Sequence, residues 1–232
     1  SECHEPLLRF IEELSVSGEE VAREYYGASG FVTHHCSDLW QHTNPGGRKR
    51  EGCSVYSFWP ISSGWLCRHL YEHYEYTQDE TFLKETVYPV LKKACLFYAD
   101  VLVPWEGELI FCPSTSPENK YIHDDKKACI ARSSAINVSV IRELFSEFGE
   151  VCERLGISDA FTERIALLKE RVQRVKIGSR GQILEWCEEV REAEPTHRHL
   201  SHLYFAYPGD EAFQSEEYKA AVEKSLLLRS NE

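Results

Sequence analysis

The stretch ISSGWLCRHLYEHYEY at 61–76, followed after two residues by DETFLKETVYPVLKKACLFYADVLV at 79–103, decides the fold class. Ile61, Trp65, Leu66, His69, Leu70, His73 and Tyr74 recur at helical spacing. So do Leu83, Val87, Val90, Leu91, Ala94, Tyr98, Val101 and Leu102, so two amphipathic helices stand almost back to back. Asp79 is the expected N-cap of the second. Pro89 falls inside its apolar stripe, and with no N–H to give it predicts a kink or a break between Val87 and Val90.

Further helices extend this pattern in both directions. Ile141, Leu144, Phe148, Val151 and Leu155 predict a third helix ended by Gly156, and Ser158 is expected to cap a fourth that buries Phe161, Ile165, Leu168 and Val172. Pro6 to Tyr25 also reads as helical, with Gly18 as an interruption. Between the helices lie polar stretches at 27–56, 104–132 and 174–199, long for connectors and so the first place to look for chemistry. Glu108–Cys112 and Gln182–Trp186 read as short hairpin pieces within them, and 188–192, with Glu188, Glu189 and Glu192, reads as a solvated helix face. The fold class is all-α, helical hairpins with long loops carrying short strands, which suits a toroid or a solenoid.

Composition narrows the function classes. The chain has 232 residues, 42% hydrophobic and 28% charged, enough to bury a core and unlike a disordered or collagenous chain. Lys and Arg number 26 against 38 Asp and Glu, so the net charge is −12; the one basic cluster is Arg48-Lys49-Arg50, and a nucleic-acid partner is not expected. No apolar run is long enough to cross a bilayer, so no membrane partner is expected either. Nine scattered cysteines without a C-x-x-C pair favour free thiols and a reducing, cytoplasmic compartment, while secretion stays open. The absence of methionine and the serine at position 1 are expected to mean either a removed N-terminal segment or a piece of a longer reading frame.

Three loops concentrate reactive side chains. In Cys112-Pro113-Ser114-Thr115-Ser116-Pro117-Glu118-Asn119, two prolines stiffen a turn that carries one carboxylate among hydroxyls. Glu118 is there either a general acid or the solvated Glu of a surface turn. Glu194-Pro195-Thr196-His197-Arg198-His199-Leu200-Ser201-His202 packs three histidines, an arginine and a carboxylate together. These could line a polar pocket, cap a helix start or, through His-x-His, bind a metal, though neither a metal nor another cofactor is expected. Thr33-His34-His35-Cys36-Ser37-Asp38-Leu39-Trp40 adds a His pair, an acid and an indole; with Trp59 and Trp65 this is a composition suited to sugars or simply to core packing. A Cys36 nucleophile paired with His34 or His35 has no neighbour arranged to activate it.

Taken together, Gly30 to Trp40, the Pro113–Asn119 loop and His197-Arg198-His199-Leu200-Ser201-His202-Leu203-Tyr204 resemble the signature segments of family-95 glycoside hydrolases, the α-L-fucosidases. Phe58-Trp59-Pro60, Gly64-Trp65-Leu66, His69–Tyr74 and Leu184-Glu185-Trp186 extend the resemblance in order along nearly the whole chain. It implies that residues 1–232 are part of an (α/α)6 catalytic toroid whose long loops face one pocket. The implied reaction is removal of terminal α-1,2-linked L-fucose with inversion from a fucosylated oligosaccharide or glycan. An inverting pair stands roughly 6.5 to 9.5 Å apart. By this resemblance Glu118 matches the general acid and Glu194 the base, while His34, His35, Asp38, Trp40, Asn119, Arg198 and His199 match the sugar-binding wall. Cys36 stands where the family usually has Asn, Asn137 where an Asp opens a helix, and the family's N-I-N segment, which positions the water, has no match. A toroid of six hairpins needs more helices than the roughly seven countable here. The chain is therefore expected to be an internal piece with little or no hydrolysis on its own. A non-catalytic scaffold that binds sugar or protein is the competing expectation.

Overall fold

The computed structural model describes residues 2–46 and 54–230, so the Arg48-Lys49-Arg50 cluster and Cys53 lie outside the described residues. The fold is mostly helical, and the chain divides into two compact units. The first takes residues 1–47, 57–102 and 141–172, the second 48–56, 103–140 and 173–232.

In the first unit α1 (Glu5–Tyr26) runs unbroken through Gly18, contrary to the expected interruption. The glycine serves a close approach instead: Val32 N–H donates to the Gly18 carbonyl, and a Cβ at Gly18 would stand 2.6 Å from the Val32 carbonyl oxygen. Gly27, at φ 61°, closes α1 in the left-handed conformation. α2 (Ser62–Thr77) follows the predicted stripe. After it, the Asp79 carboxylate accepts from the N–H groups of Thr81 and Phe82 and opens α3 (Glu80–Phe82), as the sequence predicts. Pro89 does not break the chain. The turns Leu83–Val87 widen into a π-helix that passes directly into α4 (Tyr88–Val101), which places the ring, with no N–H to donate, in the first turn of the new helix.

α5 (Ala135–Leu155) starts earlier than the predicted stripe, because residues 133–141 are all buried and a helix start buried on every side shows no apolar periodicity. Gly156, at φ 66°, ends it as expected. The cap of α6 (Ala160–Arg171) is Asp159 rather than Ser158, since the Asp159 carboxylate accepts from Thr162 N–H at 2.8 Å. Of the four residues expected beneath α6, Ile165 and Val172 are buried, while Phe161 and Leu168 remain partly exposed. The core of this unit is apolar and aromatic, with Ile11, Phe31, Leu70, Leu91, Phe97 and Phe148 essentially sealed from water. Each such side chain contributes about 2 kcal/mol of burial.

The second unit holds the strands. β1 (Val103–Trp105) and β2 (Glu108–Ile110) form the hairpin expected around Glu108. Gln182–Trp186 does not become a ladder strand and makes only isolated bridges, Ile177 with Ile183 and Ser134 with Trp186. The expected helix face at 188–192 is likewise absent: Glu192 lies in a strand. The helix α7 (Glu216–Ser230) follows. Across the described residues no helix is long and apolar enough to cross a membrane, and the described cysteines are free thiols.

His34 fastens the loop that follows α1. Its Nδ1 donates to the Thr43 carbonyl at 2.7 Å, and its Nε2 accepts from the Tyr26 hydroxyl at 2.5 Å. Burial holds its pKa down at about 4 against an ordinary 6.5. Two outcomes follow. Gly18→Ala gains helix propensity yet drives a methyl into the Val32 carbonyl, and denaturant unfolding should show a net loss of about 1–3 kcal/mol. Between about pH 6.5 and 4 the unfolded chain takes up a proton at His34 and the folded chain does not, so stability falls with pH in that window and levels off below it. His34→Gln should remove about 1.4 kcal/mol per pH unit from that slope, read as unfolding midpoints at pH 7, 6 and 5.

Candidate active site

A three-stranded sheet in the second unit places the two loops of greatest chemical interest. β3 (Tyr121–His123) and β4 (Lys126–Ala128) form a hairpin whose turn, Asp124-Asp125, has positive φ at both residues, 47° and 57°. Short polar residues tolerate that conformation best among those with a Cβ. β5 (Arg191–Glu192) pairs antiparallel on the other edge of β3, Tyr121 with Glu192 and Ile122 with Arg191, and Ala193 N–H donates to the Lys120 carbonyl at 2.8 Å. Antiparallel pairing brings the start of β3 to the end of β5. The Pro113–Asn119 loop enters the sheet where the Glu194–His202 segment leaves it.

The loop around Glu118 is not a solvated surface turn. Ser114, Thr115, Ser116 and Asn119 are buried, and their polar atoms face inward. Ser114 Oγ donates to Ser134 Oγ at 2.8 Å and accepts from the Asn137 amide at 2.8 Å, while Ser134 Oγ donates to the Thr115 carbonyl at 3.0 Å. The Asn137 amide thus supplies a donor that a carboxylate at this position would lack. With its neighbours turned in, Glu118 is left at the rim with a quarter of its side chain exposed, at 25%. Its Oε2 accepts from Arg198 Nη2 at 2.5 Å and lies 3.4 Å from His199 Nε2. Ser201 Oγ donates to the Pro117 carbonyl and ties the two loops together a second time.

The histidines of the second loop divide by burial. His197 is buried beneath His199, their ring centroids 5.2 Å apart, and its Nδ1 accepts the His199 backbone N–H at 3.1 Å. Burial, helped by the neighbouring His199, lowers its pKa. His202 is more deeply buried, and burial with the nearby Arg229 pushes it down to about 3, so it is a neutral ring at physiological pH. Among the described residues no group of three His, Cys, Asp or Glu side chains is placed to hold a metal ion. Glu194 has an exposed side chain 4.0 Å from Lys127 Nζ, while its backbone carbonyl accepts from Arg229 Nη1 at 3.1 Å.

Sequence reasoning missed the buried acid behind these loops. Glu185 is sealed from water and pairs with Arg229 at 2.5 Å, and Arg229 also reaches Glu192 at 2.7 Å, which is why Glu192 is not a solvated residue. Burial raises the Glu185 pKa, and Arg229, Ser116 and Asn119 pull it back. Leu184-Glu185-Trp186 drew notice as a segment, but nothing in it marks a buried charge; Arg229 sits in no motif at all.

The remaining candidates belong to the first unit and group there. His34 has both ring nitrogens engaged within the protein. His35 lies edge-on to Trp59, ring centroids 6.0 Å apart, and His35 Nδ1 and Trp59 Nε1 are buried without hydrogen-bond partners among the described residues. Asp38 accepts from Trp40 N–H at 2.9 Å and faces His42, so it shapes a turn that leaves the Trp40 indole 78% exposed. The structure therefore brings Glu118, Asn119, Arg198 and His199 into one cluster, with Glu194 joined to it through the backbone and Arg229.

A half-buried carboxylate clamped between a guanidinium and an imidazole, on a loop rich in hydroxyls, can donate or accept a proton at a ligand oxygen and can hydrogen-bond sugar hydroxyls. The model of the glycosyl hydrolase family 95 catalytic domain matches residues 1–232. The chain is 36% identical over 236 residues to alpha-L-fucosidase 2 of Arabidopsis thaliana, covering all of the chain and 28% of that protein. It is 32% identical over 219 residues to probable alpha-fucosidase A of Aspergillus niger, covering 90% of the chain and 26% of that protein. The chain thus spans little more than a quarter of the length of either relative. The match over its whole length, carried through the loops that enclose Glu118, shows that the chain belongs to the catalytic domain of glycosyl hydrolase family 95.

Proposed function

We propose that this chain is part of an (α/α)6 catalytic domain that hydrolyses terminal α-1,2-linked L-fucose on a fucosylated glycan by an inverting acid/base mechanism. The observation that carries the reading is the setting of Glu118, a rim carboxylate on a loop otherwise turned inward, gripped by Arg198 and His199. Relatives named as α-fucosidases support the sugar. In this reading Glu118 protonates the leaving glycosidic oxygen. Glu194 takes the proton from the attacking water on the opposite side of the ring, the roles that inversion requires.

Arg198 and His199 bind the fucose beside Glu118 as donors to its hydroxyls, and Asn119, whose amide donates to Glu185 and Glu192, serves the sugar wall by holding the loop that carries Glu118. His34, His35, Asp38 and Trp40 form a second part of the sugar-binding wall. There Trp40 offers a flat apolar face, while His34, His35 and Asp38 act by holding their loop in shape, His35 through its edge-on packing against Trp59. The reading uses no metal and no organic cofactor, because a proton donor, a proton acceptor and water suffice for the chemistry.

In the protein that carries this chain, Glu118→Gln should lower turnover of a fucosyl-α-1,2-galactoside by roughly 10²–10⁴-fold, the usual contribution of a general acid. Turnover within a few-fold of wild type would overturn the assignment of Glu118 as the acid. Proton NMR of the first sugar released should show the β-anomer of L-fucose, as inversion requires.

A further inference from the structure

Glu118 is aimed by Arg198 and His199, but what fixes the loop beneath it lies deeper. Ser116 and Asn119, on either side of Pro117 and Glu118, both turn to a single carboxylate: Ser116 Oγ donates to Glu185 Oε1 at 2.7 Å and Asn119 Nδ2 to Glu185 Oε2 at 2.9 Å. Arg229 Nη2 donates to the same Oε2 at 2.5 Å. The other guanidinium nitrogen, Nη1, donates to the backbone carbonyls of Glu194 at 3.1 Å and Pro195 at 2.9 Å. One buried ion pair, with side chains 2% and 8% exposed, therefore holds the Glu118 loop on one side and the backbone of Glu194 on the other.

We propose that Glu185 and Arg229 are positioning residues that lock the two loops to each other and so set where the Glu118 and Glu194 carboxylates stand. This rests on the hydrolase reading above. Glu185 cannot itself be the acid or the base. It is sealed from water and both its oxygens are engaged within the protein. Arg229 acts through geometry as much as charge, because only a planar fork can serve the Glu185 carboxylate with one nitrogen and the Glu192 carboxylate and two carbonyls with the other. A displacement on the order of 1 Å in a reacting group can cost about a hundredfold in rate.

The test is steady-state kinetics on a fucosyl-α-1,2-galactoside with the protein that carries this chain, beside thermal unfolding of each variant. Glu185→Gln preserves shape but removes the charge; kcat should fall about a hundredfold with KM within about threefold. The midpoints of the pH–rate profile should move, whereas a purely structural role lowers the folded fraction and leaves them in place. Arg229→Lys keeps the charge with a single nitrogen and should fall between wild type and Arg229→Met. Ser116→Ala removes one hydrogen bond and leaves the ion pair intact, with an expected loss in kcat of about fivefold. It decides the matter by the same readouts if Glu185→Gln does not fold. Folded Glu185→Gln or Ser116→Ala with wild-type kcat and pH midpoints, beside an inactive Glu118→Gln, overturns the positioning role alone. A fully active Glu118→Gln instead overturns the assignment of Glu118 as the acid, and with it the reading on which the positioning role rests.

Discussion

The pairing of β3 with β5 is the constraint on which the site depends. Tyr121 faces Glu192 and Ile122 faces Arg191, joining segments far apart in the sequence, and the bond from Ala193 to Lys120 carries that register one step past the strand. A slip of one residue would turn every side chain of the short strand to the other face. Asn119 would then lose either Glu185 or Glu192, and Arg229 would no longer meet Glu192 while holding the carbonyls that follow it. Two bonded residue pairs are too few to hold such a register unaided. The buried Glu185–Arg229 pair, Ser201 on the Pro117 carbonyl and Arg198 on Glu118 supply the rest.

Burial explains the division of labour among the polar residues. Side chains inside the second unit, Ser114, Ser116, Asn119, Asn137 and Glu185, are joined by hydrogen bonds and build the platform. A buried charge that lost its partner would be costly, so Glu185 and Arg229 depend on each other. Side chains at the rim, Glu118, Arg198 and His199, keep part of their surface exposed and stay available to a ligand. The first unit repeats the contrast on a smaller scale, with His34 spent on its own loop and Trp40 left exposed.

Where sequence reasoning succeeded and failed follows the range of the interactions. Asp79 as a cap, Gly156 as a stop and the stripes of α2 and α4 are set by neighbours within a turn or two, and they were legible. Gly18 was misread because its reason is the Val32 carbonyl, on a segment that returns across α1. The helical reading of 188–192 failed because a run of acids is equally compatible with a strand whose carboxylate finds a buried arginine. Ser158 and Asp159 are both good caps, and only the backbone decided between them.

By itself the sequence determined the helical class, the loops that concentrate titratable side chains and, through the order of their motifs, the family. Those properties reside in spacing and residue type, which are local. Only the tertiary structure decided that Glu118 stands at a rim rather than in solvent, that Asn137 donates to Ser114, and that Glu185 and Arg229 bind the loops together. A buried ion pair and a sheet register depend on which distant segments meet, and no pattern along one segment records its partner.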